Sequence, residues 1–275
     1  MKLTRRYLGM ALAGLVAAVV AAPPGMTQST TQSLSGESVI ETIKKRGVIK
    51  IGLSLFVPWS MRDESGELVG FELDVGRKLA EDMGVEPEFI PTAWDGIIPA
   101  LVAGKFDVII SGMSVTAQRN LTVNFSEPYA YSGLAILANR QMTEGFTMED
   151  FNSEDVIFAL RRGATPSAVV PVMFPKAQIL QFDEDGAAQQ EVRNGQAHAY
   201  MGAEPAGPSR EANLYPETLT VPFETLFDPR GEAFALRKGD PDALNYFNNW
   251  ISHHWRTGWL EERHDYWFTT QEWDK

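Results

Sequence analysis

The apolar positions along this chain switch period repeatedly, and each switch marks an element. In "ESVIETIKKRG" (37–47), Val39, Ile40 and Ile43 fall on one helical face, and Gly47 supplies a left-handed stop. "VIKIGL" (48–53) then predicts a strand. The next helix places Val75, Leu79 and Met83 at fourfold spacing and ends at Gly84. "EPEFIP" predicts a strand, and "WDGIIPALVAGK" a helix with Ile97, Ile98, Leu101 and Val102 inward. "FDVIIS" (106–111) is an apolar run short enough for a buried strand.

The second half repeats the rhythm. "DVIFALR" (155–161), "QILQF" and "AHAYMG" predict strands, separated by helices in "TPSAVVPVMF" and "GAAQQEVRNG". "LTVPF" and "GEAFALRKG" add two more strands. The last helix sets Leu244, Phe247, Ile251 and Trp255 along one face and closes at Gly258, with His253 and His254 on its flank. Strand and helix alternate in two units, and the final helices follow the second. Such alternation argues an α/β fold with helices covering the faces of a sheet.

The N-terminus departs from this rhythm. Lys2, Arg5 and Arg6 precede the apolar run Tyr7–Ala22, which is followed by Pro23, Pro24 and Gly25. A membrane span needs roughly 20 apolar residues. This run is shorter, Ala-rich and stopped by helix breakers, so residues 1–22 read as a cleaved signal peptide. Residues 23–36, polar and aperiodic, read as a disordered leader. Sec and twin-arginine export both remain open, since "TRRYLG" matches the latter only in part.

The formal charge is −12, and loss of Lys2, Arg5 and Arg6 with the leader takes it to −15. A surface of that sign repels phosphate backbones, so nucleic acid is not an expected partner. The chain has no cysteine, which excludes disulfides, thiolate metal sites and thiol catalysis. No metal or cofactor is expected.

Three stretches carry a family resemblance: "GELVGFELDVGRKLAEDMG", "WDGIIPALVAGKFDVIISGMSVTAQRNLTVNFSEPYAYSG" and "FALRKGDPDALNYFNNW…TGWLEERHDYWF". They resemble the extracellular solute-binding proteins of the polar amino-acid class, family 3, the receptors of ABC importers. The resemblance implies a two-lobed α/β fold of the type II periplasmic-binding-protein kind. Lobe 1 would comprise 37–132 and 232–275, and lobe 2 would comprise 137–227, with hinge crossings near 132–137 and 228–234. It also implies a monomeric periplasmic receptor without enzymatic activity. Such a receptor holds an amino acid or related small carboxylate between its lobes and delivers it to an inner-membrane permease.

The candidate site sits where open α/β sheets bind ligands, at strand carboxyl ends. In "GMSVTAQR" the resemblance gives Arg119 the ligand's carboxylate, and a guanidinium can grip such a group with two parallel hydrogen bonds. Ser114 and the backbone around Gly112 would add donors. On the opposite lobe, Thr165 of "RRGATPS" begins a helix. It reads either as a second carboxylate contact or as an ordinary N-cap, and one residue can serve both ends. Phe56 and Trp94 match positions where the family builds aromatic walls, and Trp59 is a weaker candidate.

Two positions depart from the family. Ala203 in "AYMGAEPAGPS" stands where relatives place an Asp for the ligand's ammonium, and Glu204 is the neighbouring substitute. Leu53 stands where several relatives carry an acid or polar residue. An alternative function, a cyclohexadienyl-dehydratase-like enzyme on this scaffold, would need a desolvated acid in the cleft, and Glu204 is the nameable candidate.

Overall fold

The computed structural model describes residues 38–205, 207–270 and 273. The predicted signal peptide and leader lie outside the described residues. The first helix, Val39–Arg46, begins at Ser38, whose hydroxyl accepts from Ile40 N at 3.3 Å, and stops at Gly47 with φ 73°. It leads into β1 (Val48–Leu53). The short antiparallel pair β2 (Met61–Arg62) and β3 (Leu68–Val69) forms a separate two-stranded sheet. The helix Phe71–Met83 follows, then β4 (Glu86–Pro91), the helix Trp94–Val102 and β5 (Val108–Ile109).

The long strand β6 (Asn124–Asn139) is followed by β7 (Ile157–Arg161), β8 (Gln178–Phe182) and β9 (Ala199–Glu204). β10 (Leu219–Thr220) and β11 (Phe227–Leu236) complete the set. The main sheet runs β4-β1-β5-β11-β6-β9-β7-β8, with β10 attached to β6. Pairing is parallel at both outer ends, β4-β1-β5 and β9-β7-β8, and antiparallel through the middle. Only β6 and β11 are long enough to serve both ends: β6 meets β11 over Asn124–Leu134 and β9 over Gly133–Ala138.

Each end buries its own apolar clusters. Ile49, Ile51, Phe71, Leu79, Phe234, Phe247 and Ile251 pack together at one end, and Ile136, Phe151, Phe158, Leu160, Val170 and Met201 at the other. Separate cores tied by two strands are the physical basis of two lobes.

Several sequence expectations are corrected here. "FDVIIS" contributes only Val108–Ile109 as a strand, because side chains take over at its ends. Asp107 Oδ2 accepts from Lys50 N at 2.8 Å, and Ser111 Oγ accepts from Ser54 N at 2.7 Å. "LTVPF" pairs only through Leu219 and Thr220. Val102 is 53% exposed, five residues beyond Ile97 and therefore off the buried stripe that Ile97 and Leu101 share. His254 is not a flank residue. It is buried at 5% exposure, with Nε2 2.8 Å from Asp82 Oδ2 and its ring 4.3 Å from that of Trp250. It lies one turn after Trp250 and so joins the stripe of Phe247 and Ile251.

Candidate functional site

Where the carboxyl ends of β1, β5, β7 and β9 converge between the two ends of the sheet, the chain encloses a cavity. Its walls include Ser54, Phe56, Trp59, Glu72, Trp94, Ser111, Gly112 and Ser114 from one side. Leu134, Arg161, Ala164, Thr165, Pro166, Asp185, Tyr200, Gly202 and Ala203 close the other. Local sequence explains the placement. Gly163 takes φ 69°, a conformation costly for residues with a Cβ. That turn presents its carbonyl to the opposite wall, where it accepts from Trp94 Nε1 at 3.0 Å and from Arg119 Nη2 at 3.4 Å. At Gly202 a Cβ would come within 2.3 Å of the Tyr200 hydroxyl, so only glycine lets that ring lie along the strand.

Arg119 is held by the short helix Ala117–Asn120, capped by Thr116 Oγ1 on Arg119 N at 3.1 Å. Its guanidinium donates to the Ser114 carbonyl at 2.9 Å and lies 5.3 Å from the Trp94 ring. These acceptors are neutral carbonyls, and burial lowers the guanidinium's pKa, with the field of Glu232 opposing that shift. Arg161, 4% exposed, is the contrasting case. It lies 5.3 Å from the same indole and donates to Asp185 Oδ2 at 2.9 Å and to Ser54 Oγ at 2.6 Å. The second oxygen of Asp185 accepts from Tyr200 Oη at 2.7 Å. Burial still raises the Asp185 pKa despite that ion pair. Arg161 is thus neutralised within the protein, whereas Arg119 has no carboxylate contact among the described residues.

Two buried acids support the loop "SGMS", one of them, Glu72, also in the cavity wall. Glu72 accepts from Ser60 Oγ and Tyr129 Oη, each at 2.7 Å, and burial raises its pKa to about 7. Glu232 accepts from Ser114 Oγ at 3.2 Å and from Ser132 Oγ, and burial lifts it to about 7 as well. A backbone bridge between Ser114 and Glu232 fixes this loop to β11.

With this geometry in hand, the chain matches the sequence model of the bacterial extracellular solute-binding proteins, family 3, over residues 49–270. The chain belongs to this family. The solute-binding protein is 30% identical over 268 residues to the L-cystine-binding protein TcyJ of Escherichia coli (strain K12), covering 95% of this chain and 96% of that one. It is 26% identical over 233 residues to cyclohexadienyl dehydratase of Pseudomonas aeruginosa, covering 84% and 86%. Among solved structures it is similar to a putative ABC-transporter binding component from Wolinella succinogenes complexed with lysine. There the TM-score is 0.78 at 33% identity, over 84% of this chain and all of that chain. The fold is accordingly the two-lobed α/β architecture of type II periplasmic binding proteins.

The cavity of this solute-binding protein gathers Ser114, Gly112, Thr165, Phe56 and Trp94, with Trp59 beside them. Arg119 sits at its edge rather than in its lining. The N–H of Gly112 is already donated to Tyr129 Oη at 3.0 Å, so this amide is not the extra donor the sequence suggested. The Thr165 side chain makes no cap bond and instead reaches Ser114 Oγ at 3.4 Å. Glu204 is a correction. Successive strand side chains face opposite ways, so while Ala203 lines the cavity, Glu204 turns from it and accepts from Ser209 N at 2.6 Å. Leu53 is fully buried and outside the lining, and its neighbour Ser54 faces in. Sequence reasoning missed Ser54, Arg161, Asp185 and Tyr200. Ser54, Arg161 and Asp185 lie at or just past strand carboxyl ends, so position could have found them, whereas Tyr200 is near the start of β9 and only the fold brings it to the site.

Proposed function

We propose that this solute-binding protein captures a small carboxylate between its lobes and hands it to an ABC permease in the inner membrane. The observation that carries this reading is Arg119: a half-buried guanidinium at the cavity edge whose acceptors are neutral carbonyls. Buried charges are normally paired. A ligand carboxylate would displace the Gly163 carbonyl and receive the guanidinium, with the Ser114 and Thr165 hydroxyls alongside and Phe56 and Trp94 as walls. Lobe 1 (37–132 and 232–275) and lobe 2 (137–227) would close by bending near 132–137 and 228–234. A ligand drives such closure only by its preference for the closed arrangement, which requires contacts from both lobes.

We further propose a periplasmic monomer, exported by cleavage of residues 1–22, that binds without turnover. The dehydratase-like alternative needs a protonated acid facing the ligand. Burial does raise the Glu204 pKa, but its carboxylate is turned toward Ser209. Glu72 and Asp185, acids of raised pKa in the cavity wall, have their oxygens on Ser60 and Tyr129 and on Arg161 and Tyr200. Thermal-shift screening of amino acids, non-amino carboxylates and prephenate-like acids, with product analysis on each hit, tests both readings. Binding with no product is the expected result, and a released product would replace receptor by enzyme.

A further inference from the structure

The charged groups around the cavity differ in what they have left to offer. Glu72 has one oxygen on Ser60 and the other on Tyr129. Asp185 has one on Tyr200 and the other on Arg161, whose positive charge at 2.9 Å cancels its pull on a second cation. Glu204 and Glu232 are off the lining; each has one oxygen engaged, at Ser209 N and at the Ser114 and Ser132 hydroxyls, and the other buried without a partner among the described residues. Among the described residues, the two carboxylates that line the cavity, Glu72 and Asp185, therefore each have a partner on both oxygens. The stretch of wall formed by Leu134, Ala164, Pro166, Gly202 and Ala203 carries no side-chain acceptor at all.

Donors show the opposite balance. Trp59 is 2% exposed and lines the cavity, and its Nε1 has no acceptor among the described residues. Ser111 adds a hydroxyl, those of Ser114 and Thr165 being already donated to Glu232 and Ser114, and the Arg119 guanidinium holds only carbonyls. The indole N–H of Trp59, the Ser111 hydroxyl and the Arg119 guanidinium suit ligand oxygens. An ammonium brought there loses its water and meets no free counter-charge, which is unfavourable by far more than a neutral group would be.

We infer that the ligand is a carboxylic acid without an ammonium group, with a hydroxyl, a keto oxygen or plain carbon where an amino acid has its nitrogen. The inference rests on the proposal that Arg119 holds the carboxylate. It adds that the apolar wall around Ala203 excludes the amine.

Calorimetry on pairs matched in shape tests it: L-lactate against L-alanine, L-phenyllactate against L-phenylalanine, and 3-phenylpropionate as the unsubstituted acid. Wild type, Arg119→Ala and Ala203→Asp are titrated alike. In wild type the hydroxy or unsubstituted acid is expected to bind more than about tenfold tighter than its amino partner, since burial punishes the unpaired group. Ala203→Asp is expected to reverse the order by supplying the missing counter-charge. Equal binding, or tighter binding of the amino acid by wild type, overturns the inference. If Arg119→Ala then abolishes that binding, the carboxylate reading still stands. Binding of no carboxylate at millimolar concentration overturns both. The wild-type comparison decides the matter even if Ala203→Asp does not fold.

Discussion

The indole N–H of Trp94 and the carbonyl of Gly163, 69 residues apart in the chain, meet across the cleft at 3.0 Å. Trp94 begins a helix on one wall, and Gly163 forms the left-handed turn on the other. This bond favours the closed arrangement with or without a ligand. Trp94→Phe keeps an aromatic ring and removes the donor. A net hydrogen bond contributes about 1 kcal/mol, so the variant is expected to bind several-fold more weakly and to be more expanded in small-angle scattering. Unchanged affinity and dimensions would show that the bond does not bear on closure.

Arg119→Ala is expected to weaken binding by more than about 100-fold, in the range seen when one partner of a desolvated charge pair is removed. Circular dichroism should stay native, because the guanidinium contacts carbonyls rather than a core acid. Arg119→Lys should lie between the two, since an ammonium keeps the charge but loses the bidentate grip. Wild-type affinity in Arg119→Ala would remove this residue from the site.

Arg161 and Asp185 should behave as a unit. Losing either partner of a buried pair strands the other and costs about 3–5 kcal/mol. Arg161→Met and Asp185→Asn are therefore each expected to lower Tm markedly, and the double variant to recover much of the loss. Additive losses in the double-mutant cycle would show that the pair is not coupled.

Glu232 gives a pH signature. Its pKa rises from an ordinary carboxylate value to about 7 on folding, because burial disfavours the charge. Below both values the group is protonated in either state and costs nothing. As pH climbs from about 4.5 through 7, the unfolded chain ionises more readily and stability falls. Glu232→Gln is expected to stabilise the protein above pH 7, by an amount on the order of 3 kcal/mol at most. Near pH 4 it should change little. Denaturant titrations at the two pH values check this, and an equal effect at both would refute it.

The layered α/β plan was legible because period and stop signals agree: Gly47 and Gly84 end helices with φ 73° and 67°, as their positions suggest. Val102 and His254 were misread for one reason. Helical phase, not residue class, decides burial, and the phase puts an apolar residue out and a histidine in. At the site, Ser114, Thr165, Phe56 and Trp94 could be named from local motifs, and all four line one cavity. The Arg161–Asp185–Tyr200 cluster could not be read, because strand pairing brings together residues up to 39 apart that no motif links. Glu204 does not share Ala203's place in the cavity lining, because a strand turns neighbours to opposite faces.

Glu232 touches Ser114 in the cavity wall and Ser132 on the neighbouring strand with the same carboxylate oxygen. The Ser114 hydroxyl, which we propose for the ligand, is therefore fastened to β11 and β6, the two strands about which the lobes would swing. On this proposal its location would not change with the width of the cleft. One jaw would thus be assembled before closure, and a ligand would dock there first. Encounter rate then belongs to this fixed jaw, and residence time to the moving one, so substitutions on the two sides should separate cleanly in a kinetic trace.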